Sequence, residues 1–276
     1  MIDAAIATGD QTKVATVIEL AKQTNPDEVA EIDALHHAFL AEQQRLAEER
    51  AAAQQERVRS AGPIDNWSGK GQIGATRSTG NSSNTGLSVG LELQNEGVDW
   101  RHRLKAQADY QRSNGTTSRE QFLLAYEPNY RISDHIYAYA LGQYERDRFQ
   151  GFSSRISASG GLGYRALIAD DMNLSIKAGP AYRRLDVIDG DNPSRLAALA
   201  ALDFDWKVSD TIKLSQDASA VPQSDNNSFV STTAVEAALG SNISARIAYV
   251  LEHDTDPPAG ALKTDTFTRF TLAYGF

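Results

Sequence analysis

The chain has two hydropathic textures. Up to about Ser60, apolar residues recur at helical intervals, with Val14, Val17, Ile18 and Ala21 in one group and Val29, Ile32, Leu35, Phe39 and Leu40 in the next. The residues between them are mostly Ala, Glu, Gln, Lys and Arg, which are good helix formers. Asn25-Pro26 separates two helices. Pro26 suits the first turn of the second, and Asp27 and Glu28 complement its positive end. The spacing predicts an αα-hairpin followed by a polar stalk, because A-E-E-R-A-A-A-Q-Q-E-R-V-R-S does not sustain the apolar heptads of a coiled coil. Ala61-Gly62-Pro63 ends the helix.

From Trp67 onward the period is two, the signature of half-buried strands. In the last stretch Phe270, Leu272, Tyr274 and Phe276 share one parity, opposite Arg269, Thr271, Ala273 and Gly275. The same alternation sets Val98, Trp100, Leu104, Ala106, Ala108 and Tyr110 against Arg101, Arg103, Lys105, Gln107, Asp109 and Gln111. Twelve strands are predicted: Trp67 to Thr79, Thr85 to Gln94, Val98 to Arg112, Ser118 to Ile132, His135 to Arg148, Ser154 to Leu167, Met172 to Leu185, Arg195 to Val208, Thr211 to Ala220, Ser228 to Leu239, Ile243 to His253 and Asp265 to Phe276. The fifth has no settled register, since Tyr137 and Tyr139 compete with Ile136, Ala138 and Ala140 for the apolar face. Short turns such as Ser133-Asp134 and Ser209-Asp210 alternate with generally longer loops such as Asp186 to Ser194 and Asp254 to Thr264. An even strand count with short turns at one end and longer loops at the other predicts an all-β fold, a twelve-stranded antiparallel transmembrane barrel over 66–276, preceded by a helical arm over 1–62.

Aromatic residues gather near the strand ends. Trp67, Trp100, Tyr130, Trp206, Tyr274 and Phe276 would form the girdle on the short-turn side, and Tyr110 and Tyr182, with Phe229, the girdle on the other. The inward parity collects Arg101, Arg103, Lys105, Glu127, Arg131, Arg165, Lys177, Arg183, Asp203, Asp205, Asp217, Glu236, Arg246 and Arg269. Paired across strands, these charges would fill a narrow lumen; unpaired, they would line a water-filled path and set its ionic preference. Their even mixing of sign favours the narrow or plugged lumen.

Composition narrows the picture further. A net charge of -9 and a pI near 5.1 exclude a nucleic-acid partner held by a general positive field. No run approaches the length of a membrane-spanning helix, and a mean hydropathy of -0.42 suits a barrel, whose strands alternate lipid-facing and lumen-facing residues. The chain has no cysteine, which leaves out disulfides and thiolate metal sites.

W-S-G-K-G-Q-I-G-A at Trp67 to Ala75, Tyr144-Glu145-Arg146-Asp147-Arg148-Phe149, G-G-L-G-Y-R at Gly160 to Arg165, G-P-A-Y-R at Gly179 to Arg183, and the terminal Tyr-Gly-Phe form a series of blocks in order. Together they resemble the salt-induced outer-membrane barrels, the family called domain of unknown function 481. The resemblance implies a bacterial outer-membrane location, with the arm and the C-terminus in the periplasm, and supplies no substrate. Met1 to Asp10 lacks the basic and apolar regions of a secretory signal, which is therefore expected to have been removed or to lie upstream. Expected partners are outer-membrane lipid and lipopolysaccharide, the barrel-assembly machinery through the last strand, and peptidoglycan or a periplasmic protein through the arm.

Local motifs add little chemistry. Gly69-Lys70-Gly71-Gln72-Ile73-Gly74 fits G-x-G-x-x-G but lacks the strand-turn-helix context of a dinucleotide site, so close strand approach is the expected reason for its glycines. D-V-I-D-G-D-N at Asp186 to Asn192 lacks the final glutamate of a calcium loop. Of the barrel histidines, His102 shares the apolar parity and His135 falls in a short turn, whereas His253 beside Asp254 and Asp256 could activate water at the rim. The expectation is a non-enzymatic envelope barrel with no cofactor or metal, a narrow pore for small solutes or ions. The alternatives are a closed scaffold barrel and, behind both, a rim hydrolase using His253.

Overall fold

The computed structural model describes residues 1–60, 66–79, 85–113, 116–188, 192–224, 226–257 and 262–276. The predicted connection at Ala61 to Pro63 and the loop at Gly80 to Asn84 lie outside them. The chain divides into two compact units, Met1–Gly62 and Pro63–Phe276.

The first unit holds α1 (Ile2–Ile6), α2 (Gln11–Thr24), a single 3₁₀ turn at Pro26–Glu28, and α3 (Val29–Ser60). Asp10 caps α2 by accepting from the backbone N–H groups of Thr12 and Lys13. Val14 and Ile18 of α2 pack with Ile32 and Phe39 of α3 and Ala5 of α1, closing a small core. Lys22 ties α2 to Asp33 of α3 at 2.5 Å. Further along α3, Arg45 reaches back to Glu42 and forward to Glu49, both at 2.6 Å. Such pairs support this solvated part of α3, beyond the residues that it buries at Ile32 and Phe39.

The second unit is a closed antiparallel barrel of β1 (Trp67–Thr79), β2 (Thr85–Glu96), β3 (Trp100–Ser113), β4 (Thr116–Arg131), β5 (Ile136–Asp147), β6 (Phe152–Ile168), β7 (Met172–Val187), β8 (Ser194–Lys207), β9 (Ile212–Val221), β10 (Ser228–Ala238), β11 (Ile243–Asp254) and β12 (Thr264–Gly275). Each strand pairs with its sequence neighbours, and β1 closes on β12 from Lys70↔Gly275 to Thr79↔Thr266. Strand ends differ from expectation by one to a few residues. The clearest change is between β3 and β4, where pairing runs on to Ser113↔Thr116 past a register shift between Gln111 and Arg112, so the connection is tighter than the predicted loop.

The outer face carries a belt of exposed apolar residues, among them Ile73, Leu91, Leu124, Leu162, Ile176, Ile247 and Leu272. Water would disfavour so much contiguous apolar surface, whereas lipid accepts it. Inside, β5 resolves the open register. Tyr137 and Tyr139 point inward, 3 % and 5 % exposed, and Ile136 lies on the outer face. Gly163 and Gly161 stand opposite them on β6. A Cβ on Gly163 would run into the Tyr137 ring, so this glycine supplies the room that Tyr137 occupies, whereas a Cβ on Gly161 would overlap the Ala178 carbonyl oxygen of β7.

The other glycine motif has a similar explanation. The Phe276 ring lies over Gly69, where a Cβ would come within 2.6 Å of ring atom Cε2, and the two residues exchange backbone hydrogen bonds of 2.9 and 3.0 Å. A Cβ on Gly74 would overlap the Phe270 carbonyl oxygen, while one on Gly71 would meet nothing within 4 Å. Two of the three glycines in G-x-G-x-x-G therefore serve the closing seam.

Candidate functional site

The candidate site is the lumen. A cavity of about 790 Å³ runs from Ser68 and Gln94, beside the short turns, to Ser228 and Asp254, beside the longer loops. It is lined by Arg103, Lys105, Glu127, Lys177, Arg183, Asp203, Asp205, Asp217, Glu236 and Arg246 of the expected set. Arg269 bonds Asp109 at 2.7 Å, and Arg131 faces Glu96 at 3.5 Å. Arg101 stacks over the Tyr137 ring, 5.8 Å from its centroid. Arg101 and Arg165 have no carboxylate partner among the described residues.

The strand order turns this list of pairs into a map of chords. Some pairs cross only a few strands: Lys70 of β1 meets Glu236 of β10 at 2.5 Å, and Lys177 of β7 meets Glu127 of β4 at 2.5 Å. Others cross the lumen. Arg103 of β3 faces Asp203 of β8 at 3.7 Å, with five strand-to-strand steps between them around the shorter arc. With strands about 4.8 Å apart and tilted by about 40°, a round twelve-stranded barrel is roughly 24 Å across its backbone. An arginine and an aspartate meeting tip to tip reach only about 15 Å between Cα atoms. The walls at β3 and β8 are therefore drawn together, and the lumen is pinched at that level.

A second crossing lies nearer the longer loops. Asp147 caps the 3₁₀ turn Arg148–Gln150 by accepting from the backbone N–H groups of Phe149 and Gln150. That turn aims Gln150, which donates to Glu252 of β11 on the far wall at 2.6 Å. Arg119 of β4 comes to the same glutamate at 3.6 Å. Arg155 grips Glu145 with two bonds of 2.6 and 2.8 Å, and Arg183 donates to Ser228 at 2.7 Å. A smaller cavity of about 280 Å³ adjoins here, sharing Arg155, Arg183, Glu252 and Asp254 with the larger one. Lys70, Asp109, Arg119, Glu145, Arg155 and Glu252 were missing from the expected set although they share its inward parity, the signal that could have found them.

All eight girdle residues lie on the outer face. Trp100 packs on Tyr130, with ring centroids 5.1 Å apart, and Trp206 is half-buried where the others are exposed. At the rim, the expected pairing of His253 with Asp254 does not form. His253 and Asp254 are consecutive strand residues, so their side chains leave opposite faces: the His253 ring meets the Thr264 hydroxyl at 2.7 Å, while Asp254 accepts from Ser228. His102 bonds the Tyr126 hydroxyl at 2.9 Å on the outer face, and His135 the Arg165 carbonyl at 2.9 Å. Asp189 to Asp191 of the acidic loop lie outside the described residues, and Asp186 accepts from Ser154 at 2.6 Å. No metal-binding group of His, Cys, Asp or Glu occurs among the described residues.

The family model described as a protein of unknown function, DUF481, matches residues 71–276. The chain belongs to the DUF481 family. Its blocks at Tyr144 to Phe149, Gly160 to Arg165 and Gly179 to Arg183 thus lie inside the DUF481 match. The uncharacterised protein YdiY of Escherichia coli (strain K12) is 22 % identical over 209 residues, 75 % of this chain and 82 % of YdiY. Among solved structures, the NanC porin is 9 % identical with a TM-score of 0.52, over 74 % of this chain and 98 % of its own. The KdgM porin is 10 % identical with a TM-score of 0.46, over 76 % and 99 %. For this DUF481 chain the NanC likeness shows the barrel fold.

Proposed function

We propose that this DUF481 protein is a narrow passive pore for small solutes or ions in the bacterial outer membrane, with no reaction catalysed. The observation that carries the reading is the charged cavity that runs between the two ends of the barrel, inside an apolar belt suited to lipid. A lumen meant only to be filled would put its charges in contact throughout, whereas Arg101, Arg165, Asp217 and Arg246 have no ion-pair partner among the described residues. The arm would lie in the periplasm, within reach of peptidoglycan or a periplasmic protein, while the aromatic girdles sit in lipid and lipopolysaccharide and the terminal strand is read by the barrel-assembly machinery.

A second reading is a closed scaffold barrel, favoured by the two crossings at Arg103–Asp203 and Gln150–Glu252. Planar-bilayer recording of the purified full chain separates the two. Small, stable conductance steps that scale with salt support the pore. Silence over a broad range of voltage and salt, from protein whose gel mobility is heat-modifiable, supports the scaffold.

A further inference from the structure

The crossing at the pinch is bonded weakly at both ends. Arg103 and Asp203 face each other at 3.7 Å, longer than a hydrogen bond, and neither side chain makes a hydrogen bond among the described residues. The other cation beside Asp203, Lys177, stands 4.0 Å away and is already held by Glu127 at 2.5 Å. Asp203 also has Asp217 directly opposite it on β9. Like charges in that arrangement repel, and the Asp217 carboxylate makes no ion pair or hydrogen bond among the described residues. On the β3 wall Arg103 is followed on the same face by Lys105, whose contact to Glu92 is 4.0 Å. The cavity thus has a carboxylate pole, Asp203 with Asp217, facing a cationic pole, Arg103 with Lys105, and both poles have unused bonding capacity.

We infer that this two-pole constriction is a recognition site for small zwitterions that carry a carboxylate and an ammonium group a few atoms apart. An uncharged solute of the same size must part Arg103 from Asp203 and leave both unpaired in a narrow space. A simple anion satisfies one pole and leaves the other unpaired. A zwitterion replaces each charge with its counterpart, the carboxylate on the guanidinium and the ammonium between Asp203 and Asp217, so the crossing opens with no charge abandoned. The inference rests on the pore reading given above.

The test is proteoliposome swelling with the full chain, comparing glycine with glycolamide, a neutral molecule of nearly equal size, and with glycolate. Ion conductance is recorded on the same preparation. Glycine is expected to enter severalfold faster than glycolamide. The Asp203→Asn/Asp217→Asn variant, checked for its heat-modifiable folded band, should abolish that advantage. If the double variant fails to give heat-modifiable protein, Arg103→Gln, which empties the opposite pole, should equalise the two rates. Conductance with equal rates for glycine and glycolamide in the wild-type protein overturns the recognition site alone. Absence of both conductance and swelling overturns the pore and this site together.

Discussion

The pairing of Tyr137 with Gly163 makes a demanding prediction, because two small changes test each other. Replacing Gly163 by Ala puts a Cβ within 2.5 Å of the ring atom Cε1 of Tyr137, and nearer still to Cζ. Carbon atoms settle at about 3.5–4 Å, so the ring must move by about 1 Å or more. It has little room, being 3 % exposed and flanked by the Arg101 guanidinium and the neighbouring Tyr139. Overpacking of this kind costs about 1–3 kcal/mol. Truncating Tyr137 to Ala should itself cost about 3 kcal/mol, as for other large buried aromatics. With the ring gone the clash is gone, and Gly163→Ala should cost nothing, or gain about 0.5 kcal/mol from the reduced freedom of the unfolded chain. The double-mutant cycle should therefore give a coupling of about 1–3 kcal/mol. The assay is urea unfolding in detergent micelles, followed by the fluorescence of Trp67, Trp100 and Trp206. An equal cost of Gly163→Ala in both backgrounds would refute the argument that this glycine exists to seat the tyrosine.

Other outcomes follow from the same geometry. Gly74→Ala, whose new Cβ overlaps the Phe270 carbonyl oxygen, should lose most of its heat-modifiable folded band, whereas Gly71→Ala, in open space, should fold like the parent. Lys177→Met takes the only ion-paired cation from the buried Glu127 carboxylate among the described residues and should lower stability by about 3 kcal/mol; Lys177→Met/Glu127→Gln should recover much of that in the same urea titration. In the arm, the Lys13 and Thr12 backbone N–H groups and the Lys13 ammonium hold the Asp10 carboxyl below its ordinary 3.8, and a hydrogen bond from Lys22 does the same for Asp33. Both folded values lie below the unfolded ones, so this stabilisation is complete above pH 3.8 and is lost as pH falls through the depressed values. Far-ultraviolet circular dichroism of the full chain should show helix melting at lower temperature below that point, and a melt insensitive to pH across it would count against both contacts.

Most of the barrel was legible because a barrel strand writes its two environments on alternate residues. Trp67, Thr79, Thr85, Met172, Ser228 and Ile243 are strand ends that the alternation locates to the residue. The fifth strand resisted because tyrosine suits either a lipid interface or a packed interior, and what seats Tyr137 inward is the room left by Gly163 on β6. The candidate site was legible as a set of inward charges and illegible as an arrangement. Parity tells which wall a charge leaves; the partner of Arg103 depends on how far β8 has curled round to face β3, which no local pattern records. The same limit hid Gln150, a loop residue with no strand parity, which reaches Glu252 only because Asp147 bends the backbone after β5.

The crossings also bear on how the barrel is made. Arg103 with Asp203 and Arg119 with Glu252 act as spokes between strands that never touch along their edges, and Gln150 with Glu252 joins the turn after β5 to β11. An open sheet with the same hairpins, however complete its ladders, leaves every spoke unattached. The reward for burying these charges arrives only when the rim closes at β1 and β12, where Phe276 settles on Gly69. The last residue of the chain and the middle of its lumen are thus parts of one late event, and a partly assembled sheet has a standing electrostatic reason not to linger.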